Sequence, residues 1–233
     1  MITARDLRRD YGLNHALAGA SFEVPPGQTV ALLGPNGAGK STLLQILAGV
    51  LAPTSGSATV AGMVVPDGAR GLGKRVGFVP QGESLYPELS VAENLRFFGR
   101  LHGVRGKRLR ARVDALLSDF ALSDRRGSRA GDLSGGLRQR AAVAASLVHE
   151  PGVLLLDEPG TGLDPGARDR LGKLLRAYRG AERTVLFSTH DLQEAARVAD
   201  RVLFLVNGRV VADMPAAEAP RLDARYRALG ADA

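Results

Sequence analysis

The chain has 233 residues, 45% hydrophobic and 24% charged, which suffices for one large domain with a sizeable core. It contains no cysteine, and this excludes a disulfide framework, a thiolate metal site and thiol catalysis. The formal charge of +7 is almost wholly arginine, because lysine occurs only at Lys40, Lys74, Lys107 and Lys173, and it is read first as composition bias.

Residues 1–10 alternate charged and apolar side chains and lack the basic start and apolar run of a signal peptide. Residues 20–24 and 28–33 read as strands separated by Pro25, Pro26 and Gly27. The second runs into a glycine-rich loop. From Lys40 onward Leu43, Leu44, Ile46 and Leu47 recur at helical spacing, ended by Gly49 and Pro53. Residues 57–65 read as a hairpin about Gly62, and residues 75–79 as a strand closed by Pro80.

The texture then changes. Residues 90–101, 108–120 and 137–148 carry helical periodicity, with Ser90 as N-cap and glycines 99, 103 and 106 as breaks. From Gly152 the chain alternates strand 153–156, helix 166–178, strand 184–187, helix 192–198, strand 202–205 and helix 222–229. This alternation predicts an α/β fold with a mostly parallel sheet. One domain over 1–233 is expected, with 1–81 and 150–233 as core and 82–149 as a helical insert. The longest apolar runs fall far short of the roughly 20 residues that span a bilayer, so any membrane role is expected to come through a partner.

Gly34, Pro35, Asn36, Gly37, Ala38, Gly39, Lys40 and Ser41 satisfy G-x-x-x-x-G-K-[ST] between an apolar strand and a helix. Glycines let backbone amides turn inward around phosphates, and the helix start adds its positive dipole end. The loop through Thr42 is therefore expected to bind ATP, with Lys40 on the β- and γ-phosphates and Ser41 on Mg²⁺. Strand 153–156 ends in Asp157, the expected Mg²⁺ holder, and Glu158, which can orient or deprotonate the attacking water. His190 and Gln81 would emerge at the same sheet edge, where lone side chains are usually caps or surface residues.

Leu133-Ser134-Gly135-Gly136, followed by Arg138-Gln139-Arg140, turns this general pattern into a particular one. The chain resembles the ATP-binding subunit of ABC transporters over nearly its whole length, from the phosphate loop through Gln81, Ser134, Asp157, Glu158 and Leu163-Asp164 to His190. The resemblance implies the ABC ATPase fold, with an N-terminal antiparallel β portion. It implies Tyr11 stacked on adenine, Gln81 on Mg²⁺ or the attacking water, His190 on the γ-phosphate, and Asp164 in a loop crossing a dimer interface. Ser134, Gly135 and Gly136 would meet the γ-phosphate held by a second copy of the chain, or by a related ATPase subunit. Two positions depart from the family: Leu137 stands where glutamine is usual, and residues 160–162 read Gly-Thr-Gly where a serine or threonine commonly comes first.

The segments 85–95 and 97–103 are similar to subunits that drive export-type permeases, ABC-2-like or haem-exporter-like. The expectation is a cytoplasmic ATPase, peripheral on the inner face of the cell membrane and bound to an integral membrane permease, with no nucleic acid partner. The rival is a soluble ABC-type ATPase acting on nucleic acid or ribosomes, which the basic charge would suit. The chain shows no long coiled-coil insertion, zinc-binding cysteines or second cassette to support it. The basic run 105–112 is read as a solvated helix face.

Overall fold

The computed structural model describes residues 1–66, 69–82, 84–180 and 182–218. Strands β1 (Ile2–Tyr11) and β2 (Asn14–Val24) pair antiparallel, and β3 (Thr29–Leu33) leads through the glycine-rich loop into helix α1 (Lys40–Leu47). Strands β4 (Ser55–Val60) and β5 (Met63–Val65) form the expected hairpin and add to the first sheet, in the order β2-β1-β4-β5.

After a short helix α2 (Ala69–Leu72) comes β6 (Val76–Val79), then helices α3 (Val91–Leu101), α4 (Gly106–Asp119) and α5 (Gly135–Ser146) in succession. Strand β7 (Val153–Leu156), helix α6 (Pro165–Tyr178), strand β8 (Thr184–Thr189), helix α7 (Leu192–Val198), and strands β9 (Arg201–Val206) and β10 (Arg209–Pro215) follow. The second sheet runs β10-β9-β3-β8-β7-β6, parallel except for β10. The helix expected over 222–229 lies outside the described residues.

Every residue of β3 and of β7 is buried, and alternate side chains enter different cores. Val30, Leu32, Val153 and Leu155 meet α1 and the antiparallel sheet, whereas Ala31, Leu33, Leu154 and Leu156 meet the helices on the far face. A sheet covered on both faces requires such continuous apolar strands. Leu43, Leu44, Ile46 and Leu47 are fully buried, so α1 is clamped between the sheets and the loop before it has a rigid base. Truncating one of these leucines to alanine is expected to cost about 2–5 kcal/mol.

Ser90 caps α3 in a full capping box with Glu93. Gly99 does not interrupt the helix as expected. It faces Leu109 and Val148, where an added Cβ would stand 2.4 Å from Leu109 Cδ1, so its lack of a side chain lets α3 and α4 approach. Asn94, fully buried, bonds the backbone of Tyr86, Leu89 and Ser90 and fixes the segment that follows Gln81. Among the described residues no helix is long and apolar enough to cross a membrane.

Candidate functional site

The loop between β3 and α1 is shaped by contacts that only glycine permits. Gly37 and Gly39 have φ of 82° and 100°, the left-handed region that side chains disfavour. A Cβ on Gly34 would lie 2.2 Å from the Leu205 carbonyl, and one on Gly39 2.2 Å from the Ala16 carbonyl. The loop is thus seated against β9 and β2. A further bond from Gly208 N–H to the Ala38 carbonyl ties it to the β9–β10 turn. Gly39 supplies no side-chain cap to α1, so the first amides of that helix stay available to an anion.

Lys40 is 5% exposed, and its ammonium donates to the carbonyls of Gly34 at 2.9 Å and Pro35 at 3.0 Å. It also stands 3.3 Å from Glu158 Oε1. Glu158 follows β7 with φ 47°, a strained conformation for a non-glycine residue, held by its N–H on Ser188 Oγ at 2.8 Å. Its other oxygen, Oε2, accepts from Thr161 Oγ1 at 2.9 Å and lies 3.3 Å from His190 Nδ1. Burial pushes the Glu158 carboxyl up, but the Thr161 hydroxyl, Lys40 and His190 together outweigh it and hold the carboxyl below its ordinary range.

Asp157 is 3% exposed beneath this cluster, and its Oδ1 accepts from Ser188 Oγ at 2.6 Å. One hydroxyl on β8 therefore orients both acidic residues. His190, at the end of β8, is steadied by the next residue: Asp191 caps α7 through the amides of Gln193 and Glu194.

Tyr11, Asn36, Gly37, Gly39, Lys40, Ser41, Thr42, Gln81, Glu158 and His190 line one cleft of about 580 Å³. Gly34, Pro35, Ala38 and Asp157 are outside its lining. Tyr11 ends β1 and is 47% exposed, with the Arg9 guanidinium 4.7 Å from its ring centre. Asn14, Ala16 and Thr161 also line the cleft, and Ser188 supports it from beneath; of these the sequence pointed only to Thr161, and only as part of the Gly-Thr-Gly departure, with no role attached. A small or hydroxylated residue beside a strand carries no chemical signal until its neighbours are known.

The donor set suits Mg²⁺. Ser41, Gln81 and Asp157 offer hydroxyl, amide and carboxylate oxygens, the hard ligands this ion takes. Mg²⁺ generally takes one or two carboxylates and completes its shell with water and phosphate oxygens.

Ser134, Gly135 and Gly136 are not in the cleft. Ser134 caps α5 in position only: it is exposed and its hydroxyl makes no cap bond. With Leu137, Arg125 and Arg129 it lines a separate depression of about 550 Å³. Arg138 clasps the carbonyls of Ala130, Gly131 and Leu133 and so shapes the segment from below. Asp164 is exposed, and its carboxylate accepts from Ala167 N–H at 2.9 Å to cap α6, rather than reaching the cleft. A Cβ on Gly136 would meet that of Ala167 at 3.1 Å, so the starts of α5 and α6 stand side by side.

A family model described as ABC transporter matches residues 17–161. The chain is 41% identical over 207 residues to the Nod factor export ATP-binding protein I of Paraburkholderia xenovorans, covering 89% of this chain and 68% of the relative. It is 40% identical over 213 residues to the protein of that name from Cupriavidus metallidurans, covering 91% and 70%. Among solved structures it is similar to a dimeric ATP-binding cassette in a post-hydrolysis state bound to ADP and Pi, with TM-score 0.84, 26% identity, and coverage of 93% of this chain and 99% of that one. It is similar also to cbiO1 from Clostridium perfringens, part of the ABC transporter complex cbiONQ, with TM-score 0.84 and 30% identity over 99% and 97% of the two chains.

Proposed function

The chain belongs to the ATP-binding subunits of ABC transporters, and from that premise we propose that it powers an exporter through ATP-driven pairing with a second copy of itself. It is an ATPase. The observation that carries the reading is the convergence of Lys40, Glu158, His190 and Gln81 on one cleft. The export direction rests on the relatives' names, and the dimer and membrane permease on the assemblies in which similar cassettes occur. The chain's place is then the inner face of the membrane, against the permease.

In this reading Tyr11 stacks on adenine, while the amides of residues 34–42 and Lys40 hold the phosphates. Bound Mg²⁺ would neutralise charge between the β- and γ-phosphates, with Ser41, Gln81 and Asp157 as its protein ligands. Lys40 cannot serve a phosphate and Glu158 equally, so substrate binding weakens the pair they make at 3.3 Å. Glu158, kept ionised by Thr161 and His190, is then free to orient and deprotonate the attacking water. His190 contributes a ring N–H toward the γ-phosphate.

Ser134 with the exposed start of α5 completes the site from the partner copy, and Asp164, beside it, belongs to the same interface. Leu137 leaves the phosphate contacts of that segment intact but removes a polar group near the ribose.

The test is ATP turnover with and without nucleic acid, together with detergent-solubilised co-purification. Nucleic-acid-independent turnover and a bound integral membrane protein are expected. Strong, salt-sensitive stimulation by DNA or RNA would favour the soluble ATPase instead.

A further inference from the structure

Arg96 and Arg100 stand one turn apart on α3, and Arg105, Lys107 and Arg110 continue the basic surface into α4. The five side chains line a shallow depression of about 740 Å³ with Gly106 and Leu109. None of them makes a side-chain hydrogen bond or an ion pair with a described residue. Three carboxylates of the surrounding surface are engaged elsewhere: Asp114 by Arg126, Glu150 by Arg108, and Glu93 by Ser90, with Arg96 acting on Glu93 only through space. Arg105 supplies no side-chain cap to α4, so the first amides of that helix add partial positive charge at the same place. Like charges gathered without direct ion pairs repel one another, and an anionic surface relieves that repulsion.

Beside the basic row runs an apolar one. Phe97 is 39% exposed and Leu101 67%, again one turn apart on α3. Leu101 continues into an apolar groove lined also by Val50, Phe98, His102 and His149. We propose that the basic face of α3 and α4 binds the headgroups of anionic lipids, with Phe97 and Leu101 at its margin. This rests on the transporter reading, in which the chain lies against a membrane. The mixture of arginine and exposed apolar side chains is that of an interfacial surface.

The full chain is to be sedimented with phosphatidylcholine vesicles, with and without an equal part of phosphatidylglycerol. Anionic vesicles are expected to bind more tightly, by about fivefold for each cation engaged. The variant R96Q/R100Q/R105Q/K107Q/R110Q should lose that preference. The control R5E/K173Q/R209E removes the same five units of charge from β1, α6 and β10 and should keep it. Absence of any preference in the parent, its survival in the cluster variant, or equal loss in the control would overturn the proposal. Salt-sensitive binding to duplex DNA in place of anionic vesicles would overturn it too. ATP turnover is read alongside, so that intact turnover without lipid preference refutes this inference and leaves the transporter reading standing.

Discussion

The start of α1 and the start of α5 both present helix amides to solvent, yet they differ in what surrounds them. At α1, Lys40, Glu158, Thr161 and His190 satisfy one another within 3.3 Å, and Asp157 and Glu158 share Ser188. At α5, the Ser134 hydroxyl makes no bond and no acidic or catalytic group faces it within its depression except Asp132. One end holds the groups that could perform chemistry and the other holds unused donors. The proposed pairing accounts for this difference: a second copy would bring to each end what that end lacks.

The largest effect expected from breaking this comparison lies in Glu158→Gln. It leaves the loop and Lys40 in place but removes the base, so turnover should fall by about 10²–10⁴-fold while ATP binding persists and dimers accumulate, as size-exclusion chromatography with ATP would register. Turnover at the parental rate would refute the role. Lys40→Ala acts on binding instead. Losing a buried, charge-assisted contact should weaken nucleotide affinity by about 10- to 100-fold, read by fluorescence titration or calorimetry.

Thr161→Val is milder. It removes a donor that helps hold the Glu158 carboxyl low, so the carboxyl rises and the acid limb of the ATPase profile moves to higher pH, with less than about a tenfold loss at neutral pH. An unmoved limb would show that Thr161 does not set this ionisation.

A smaller effect lies away from both ends. His149 stacks on His102 with ring centres 3.9 Å apart, and burial first, then the neighbouring His102, lower it from 6.5 to about 4 against the opposing pull of the Val76 carbonyl. The folded group binds its proton more weakly than the unfolded one, so stability is full above pH 6.5 and declines as pH falls toward about 4. The urea midpoint should drop between pH 7 and pH 5, and by less in His149→Leu.

The loop end was readable in the sequence because its chemistry needs contiguous residues, and because Asp157 and Glu158 end a fully apolar strand. The α5 end was readable only through a resemblance, since Ser-Gly-Gly at a helix start is common and the role proposed for it requires another chain. Ser188 and Thr161 were hidden because their roles arise from distant strands meeting. β1 was not marked as a strand because the alternation over residues 1–10 is imperfect: the apolar spacing slips between Ala4 and Leu7, where Asp6 at φ 46° shifts the register. β10 escaped because an edge strand with alternating exposed and half-buried residues carries a weak hydrophobic signal. The first half of β2 is small or polar apart from Leu17, so only the stretch from Ala20 onward was legible.

The central claim is tested most directly by mixing two chains that are each inactive, one carrying Lys40→Ala and the other Ser134→Glu. A heterodimer then contains one site damaged on both sides and one intact site built from the Lys40 of one copy and the Ser134 of the other. An equal mixture is expected to recover about a quarter of the parental turnover, given the twofold symmetry of the pair, whereas no recovery at any ratio would contradict a shared site.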